Sequence, residues 1–135
     1  MGGILADHNV EGQVRLLVHC WEGSDWREFW EDLHLSFLTF AEVGLATDST
    51  DREVWIFCQR QRLILITSNR NMDDPDSLEE TIRNENTSES LPVFTLTDAE
   101  SVMKIKVYRE KIALKLLEKL SDVEKLLGTG RIFIS

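Results

Sequence analysis

A chain of 135 residues with 15 Lys+Arg against 24 Asp+Glu, a formal net charge of -9 and 42% hydrophobic residues carries enough apolar material for the core of one domain. That balance excludes wholesale disorder, and it argues against a protein that coats duplex DNA, which needs dense Lys and Arg to displace counterions. The 2 cysteines, Cys20 and Cys58, are too few for a disulfide framework or a four-ligand zinc site, so a reduced, cytoplasmic chain is expected.

The opening residues lack a basic n-region and meet a charge at Asp7, which predicts neither a signal peptide nor an anchor. No apolar run approaches the roughly 20 residues that span a bilayer, so no membrane partner is expected. Ile4-Leu5 reads as a short buried strand that stops at Asp7-His8-Asn9, residue types that open turns and cap helices. Val10, Val14, Leu17 and Val18 predict a first helix, and Trp26, Phe29, Trp30 and Leu33 a second, with Ser24 as its cap. Phe37-Leu38-Thr39-Phe40 predicts a strand, followed by a loop through Gly44 to Ser49.

Thr50-Asp51-Arg52-Glu53 is a capping box that opens a helix through Val54, Phe57, Cys58 and Gln61. Leu63-Ile64-Leu65-Ile66-Thr67 is a near-continuous apolar, β-prone run, the pattern of a strand covered on both faces. Residues 68–75 have turn composition, Asp76-Ser77-Leu78-Glu79 opens a short helix to about Asn84, and a polar loop leads to a strand over residues 92–96. Thr97-Asp98-Ala99-Glu100 reads as a further capping box. It opens a helical segment over residues 98–127, broken near Ser121-Asp122, with Ile105, Tyr108, Ile112, Leu116, Leu120 and Val123 as its core stripe. Gly128 stops it, and Ile132-Phe133-Ile134 is a last strand. Strands alternating with helices predict a single α/β domain over residues 1–135, a three-layer α/β/α sandwich around a mainly parallel sheet.

In open α/β sheets ligands bind beyond the carboxyl ends of the strands. The predicted elements place Asp7 and His8, Asn69 to Asp76, and Asp98 at that end, with Asp51 directed toward it. An acidic, oxygen-rich cluster without Cys/His spacing favours a hard cation such as Mg²⁺ or Mn²⁺ over zinc. Asp51, Asp76 and Asp98 also have a purely local reading as acids at helix starts, whereas Asp7, ending a buried strand, has less local excuse. Cys20 and Cys58 sit in apolar helical patterns, as buried hydrophobes do, and Trp26, Trp30 and Trp55 read as packing residues. The charge is uneven, about -6 over residues 1–67, about -7 over 68–100 and about +4 over 101–135. Lys104, Lys111, Lys115 and Lys119 fall together on one predicted helix face, either a solvated surface or a strip that tracks phosphates.

The succession of Ile4-Leu5-Ala6-Asp7, then Thr50-Asp51-Arg52-Glu53, then Leu63-Ile64-Leu65-Ile66-Thr67-Ser68-Asn69-Arg70-Asn71 resembles the PIN-like domains, especially their compact toxin-like branch, over residues 4–98. The resemblance implies an α/β/α sandwich whose acidic cluster binds Mg²⁺ or Mn²⁺ for RNA cleavage. Asp7 looks like the family's first-strand acid and Asp51 like the acid before the central helix. Residues 67–71 stand where members usually carry Thr-x-Asp-x-Asp, and here both acids are amides, Asn69 and Asn71. An amide oxygen can coordinate a hard cation but brings no charge, which Asp73, Asp74 or Asp76 would then have to supply. The implied ligands are Asp7, Asp51, Asn69, Asn71, Asp73 and Asp74, with Asp7, Asp51, Asn69 and Asp73 at the reacting centre and the four lysines guiding single-stranded RNA. The rival expectation is a degenerate module that serves as an interaction or regulatory subunit, with a cognate antitoxin, another protein or a second copy of the chain as partner. An enzyme of a phosphorylated small molecule has no glycine-rich anion loop to support it.

Overall fold

The computed structural model describes residues 2–23, 25–69 and 76–135. Five strands, β1 (Gly3–Ala6), β2 (Ser36–Leu38), β3 (Leu63–Thr67), β4 (Val93–Leu96) and β5 (Arg131–Ile134), form one sheet in the order β2-β1-β3-β4-β5. Every pairing is parallel, so the predicted mainly parallel sheet is wholly so. Seven helices among the described residues connect the strands: α1 (Glu11–Trp21), α2 (Arg27–Leu33), α3 (Phe40–Val43), α4 (Asp51–Gln61), α5 (Leu78–Glu85), α6 (Ala99–Lys104) and α7 (Lys106–Ser121).

The two-residue period of the strands sorts their side chains into the two cores of a three-layer sandwich. Ile4, Ala6, Ile64, Ile66, Phe94, Leu96 and Ile134 meet residues of α1, α2, α6 and α7 in the larger core. Leu5, Leu63, Leu65 and Val93 meet Phe40 of α3, Val54, Trp55 and Cys58 of α4, and Leu78 of α5 in the smaller one. Every residue of β1, β3 and β4 is buried, which is why those strands read as continuous apolar runs rather than alternating ones. β1 and β2 approach so closely that a Cβ on Gly3 would lie 2.6 Å from the Ser36 carbonyl oxygen. Gly3→Ala is expected to cost about 1–3 kcal/mol, as overpacking against rigid backbone does, read as a lower denaturant midpoint with an unchanged slope.

Several local expectations need correction. Thr39 and Phe40 leave the predicted strand, because Thr39 accepts from Glu42 N while Glu42 returns a carboxylate oxygen to Thr39 N, a capping box that starts α3 instead. The cap position of α2 is Trp26, which makes no side-chain cap bond; the predicted cap Ser24 lies outside the described residues. α5 is capped by Ser77 rather than Asp76. The box predicted at Thr97 is replaced by Asp98, which accepts from the backbone N–H and the hydroxyl of Ser101, while Thr97 Oγ1 donates to the Ile134 carbonyl.

The predicted long helix is broken not only near Ser121, where α7 ends before a 3-10 turn at Val123–Leu126, but also at Ile105, whose backbone is extended. Arg109 explains the second break: its guanidinium donates to the Val102 and Met103 carbonyls at 2.8 Å each, satisfying the end of α6 from outside. Ile105 consequently leaves the predicted core stripe and is 51% exposed, and Tyr108 is only partly buried. Among the described residues no helix is long and apolar enough to cross a membrane.

Candidate functional site

Strand order reverses direction around β1 and β3, and the crevice at their carboxyl ends is where this class of sheet takes its ligands. Asp7 directly follows β1, its N–H donating to the Ile66 carbonyl of β3 and its own carbonyl accepting from Val10 in a 3-10 turn at His8–Val10. The backbone is therefore pinned where the carboxylate leaves the sheet. Thr67, the last residue of β3, donates its hydroxyl to Asp7 Oδ2 at 2.7 Å, and accepts from Asn69 N at 3.0 Å.

Asp51 reaches the same crevice from the first turn of α4, which the Thr50–Glu53 capping box holds in place as predicted. Its Oδ2 accepts from the Asn69 side-chain amide at 2.8 Å and from Leu78 N, at the start of α5, at 3.2 Å. The local reading of Asp51 is thus partly right, but the helix it steadies is α5 as well as its own. Between the two acids lies a cleft of ≈ 110 Å³ lined mainly by polar groups, including His8, Asn9, Thr47, Ser49 and Asn69.

Burial pushes the Asp7 carboxyl above its ordinary range; the Thr67 hydroxyl opposes this, and the neighbouring Asp51 charge reinforces it. Cys58, on the inner face of α4, has its thiol pushed up to about 12 by burial and then by the charge of Asp7. That makes it a packing residue beneath the site rather than a nucleophile. Cys20 is likewise shifted upward by burial.

Of the other expected site residues, Asn69 joins the two acids, whereas Asn71, Asp73 and Asp74 lie outside the described residues. Asp98 is a helix cap held below its usual range by Ser101, and it does not line the cleft. His8 lies along the cleft wall with its ring 5.9 Å from that of Phe40. The lysines divide. Lys104 belongs to α6 and pairs with Glu100 at 2.6 Å, while Lys111, Lys115 and Lys119 share a face of α7, Lys115 donating to the Ser135 carbonyl. None of the four lines the cleft.

One participant has no counterpart in the sequence reading. Arg131, opening β5, is 5% exposed at its side chain. Its NH1 donates to the Asn69 carbonyl at 2.6 Å and to Thr95 Oγ1 at 2.8 Å, and its Nε reaches Glu79 Oε2 at 3.2 Å. The available signal was strand alternation: Ile132 and Ile134 face the larger core, so Arg131 must face the other way, toward the layer that carries the acids.

Apart from the His8 imidazole, the polar side chains lining the cleft are carboxylates, hydroxyls and amides, a set suited to a hard divalent cation rather than a soft one. The Asp51 charge adds to the cost of ionising the buried Asp7, and a cation held in the cleft they share would relieve it. Among the described residues no group of three or more His, Cys, Asp or Glu side chains could hold a metal, so Asp7 and Asp51 are the anionic share visible here. No protein-family model, curated protein or solved structure matches the chain.

Proposed function

We propose that this chain is a PIN-like module that cleaves single-stranded RNA with the help of Mg²⁺ or Mn²⁺. The observation that carries the reading is the meeting of Asp7 and Asp51, from separate elements, in one oxygen-lined cleft at the carboxyl end of the central strands. Asp7 and Asp51 would hold the cation, and such an ion supplies Lewis acidity toward a phosphodiester. The chain's own part is orientation. Thr67 directs the Asp7 carboxylate, while Asn69 and the start of α5 direct that of Asp51. The Lys111, Lys115 and Lys119 face of α7 offers three charges at one-turn spacing for the phosphates of a single strand.

A second reading, a catalytically silent module that binds another protein, is favoured by one specific contact. Where the resemblance places an acid, Asn69 puts an amide whose N–H occupies an oxygen of Asp51 and adds no charge. Its partner, an antitoxin in a toxin-like system, would insert an Arg or Lys beside Asp7.

Calorimetric titration of the purified chain with Mn²⁺, alongside incubation with a single-stranded RNA oligonucleotide, separates the two. The nuclease reading expects saturable binding and cleavage that EDTA abolishes. No binding and intact RNA would leave the silent module standing.

A further inference from the structure

We infer that Arg131 is a positioning residue for the acid pair, fixing the backbone of Asn69 and, through Asn69, the way Asp51 presents its carboxylate to the cleft. The inference rests on the reading of Asp7 and Asp51 as a cation site.

The contacts form a closed circuit. Asn69 donates its side-chain amide to Asp51 Oδ2, and the same oxygen takes the N–H of Leu78. The next residue of α5, Glu79, receives Arg131 Nε, and Arg131 NH1 returns to the Asn69 carbonyl. Four stretches of chain distant in sequence thereby fix one another: the start of α4, the residues after β3, the start of α5, and β5. Thr95 of β4 accepts from the same NH1 and anchors the guanidinium over the sheet.

A guanidinium is an expensive way to fill this space. Its side chain is almost wholly buried, and among the described residues its carboxylate partner is Glu79, 30% exposed, while its NH2 is buried without a hydrogen-bond partner. An apolar side chain of similar length would avoid that desolvation. What it would not do is hold the Asn69 carbonyl. The planar fork also sets Nε and NH1 in a rigid relation, so that Glu79, Thr95 and Asn69 are engaged together in one geometry, which the single ammonium of a lysine does not reproduce. Arg131 does not line the cleft, so it acts only through Asn69 and Glu79. This is the place of an outer partner that aims a ligating group, where substitution typically lowers metal affinity 10–100-fold.

The test compares Arg131→Met and Arg131→Lys with the unsubstituted chain, reading the side-chain amide resonances of Asn69 by ¹⁵N NMR without metal, then Mn²⁺ affinity by calorimetry. In R131M the Asn69 resonances should move toward those of a solvent-exposed amide and Mn²⁺ should bind about 10–100-fold more weakly, with R131K between. Resonances that stay in place, or a Mn²⁺ affinity equal to that of the unsubstituted chain, would overturn the inference. Should R131M lose its cooperative thermal transition, R131K decides by the same readouts, movement supporting the inference and its absence overturning it. Should the unsubstituted chain bind no Mn²⁺, the cation reading itself fails, and the Asn69 resonances alone decide whether Arg131 positions this amide.

Discussion

Asp7→Asn is expected to make the metal-free protein more stable at neutral pH while weakening its hold on Mn²⁺ at least about tenfold, the equivalent of about 1.4 kcal/mol. Burial chiefly, with the Asp51 charge adding to it and the Thr67 hydrogen bond opposing, holds the Asp7 carboxyl above its ordinary value of 3.8. The folded chain therefore keeps this proton more tightly than the unfolded chain does. Stability falls as pH rises through the unfolded value and up to the raised folded one, and above that the full cost of the buried charge is present. Asparagine removes the charge but retains an oxygen for the Thr67 hydroxyl, so the variant should lose this part of the pH dependence and keep the contact. Thermal unfolding in EDTA from pH 3 to 8, followed by calorimetry with Mn²⁺, measures both effects. A variant less stable than its parent at pH 7 would mean that the carboxylate is chiefly a structural acceptor. Unchanged Mn²⁺ binding would remove Asp7 from the proposed cation site.

The largest effect on folding is expected at Trp21. Its side chain is fully buried in the larger core, packs against Trp30 with ring centroids 4.9 Å apart, and donates Nε1 to the Ala113 carbonyl at 2.8 Å, tying α1 to α7. Trp21→Ala should cost about 3–5 kcal/mol, a large share of the 5–15 kcal/mol typical of a domain. Trp55 gives the contrast: it is also buried, but its Nε1 has no hydrogen-bond partner among the described residues. Trp21→Phe removes the donor of a hydrogen bond worth about 0.5–1.5 kcal/mol, whereas Trp55→Phe removes a donor that has no partner among the described residues. Chemical denaturation of the two Phe variants should therefore rank Trp21→Phe as the more damaging. The reverse order would show that ring volume, not the indole N–H, decides at both positions.

Much of this architecture is legible in the chain because its signals are local or periodic. The apolar run at β3 reports burial on both faces, and the Thr50–Glu53 box reports the helix start that carries Asp51. Thr39-Phe40-Ala41-Glu42 has the same spacing as that box, but the β-prone Phe37-Leu38 before it draws the eye to a longer strand. α2 and α4 end at His34 and Arg62 in the left-handed conformation, without the glycine that usually marks such a stop. The break at Ile105 is invisible for a different reason. It depends on an arginine from the following helix, and neither proline nor glycine announces it.

The candidate site divides in the same way. Asp7 and Asp51 stand out because each abuts an element whose end can be recognised. The bond from Asn69 to Asp51 and the reach of Arg131 to Asn69 join residues far apart in the chain, and nothing in their spacing encodes them. Lys104 parts from the other lysines because the break at Ile105 starts a new helix, so the phase of the predicted face is lost there.

The sheet order also sets when the site can exist as the chain folds. β1 takes β3, which ends at Thr67, as a neighbour, so the central pair cannot close until nearly half of the chain is available, and its loop-closure entropy must be met before any contact between those strands rewards it. Asp7 and Thr67 come together in that step, and the start of α4 lies within the loop being closed. Arg131 arrives only with the edge strand β5, the last in sequence. A folding intermediate lacking that strand would already hold both acids and the bonds from Asn69 to Thr67 and Asp51, but not the clamp of Arg131 on the Asn69 carbonyl; in that order the site would be assembled early and tightened last.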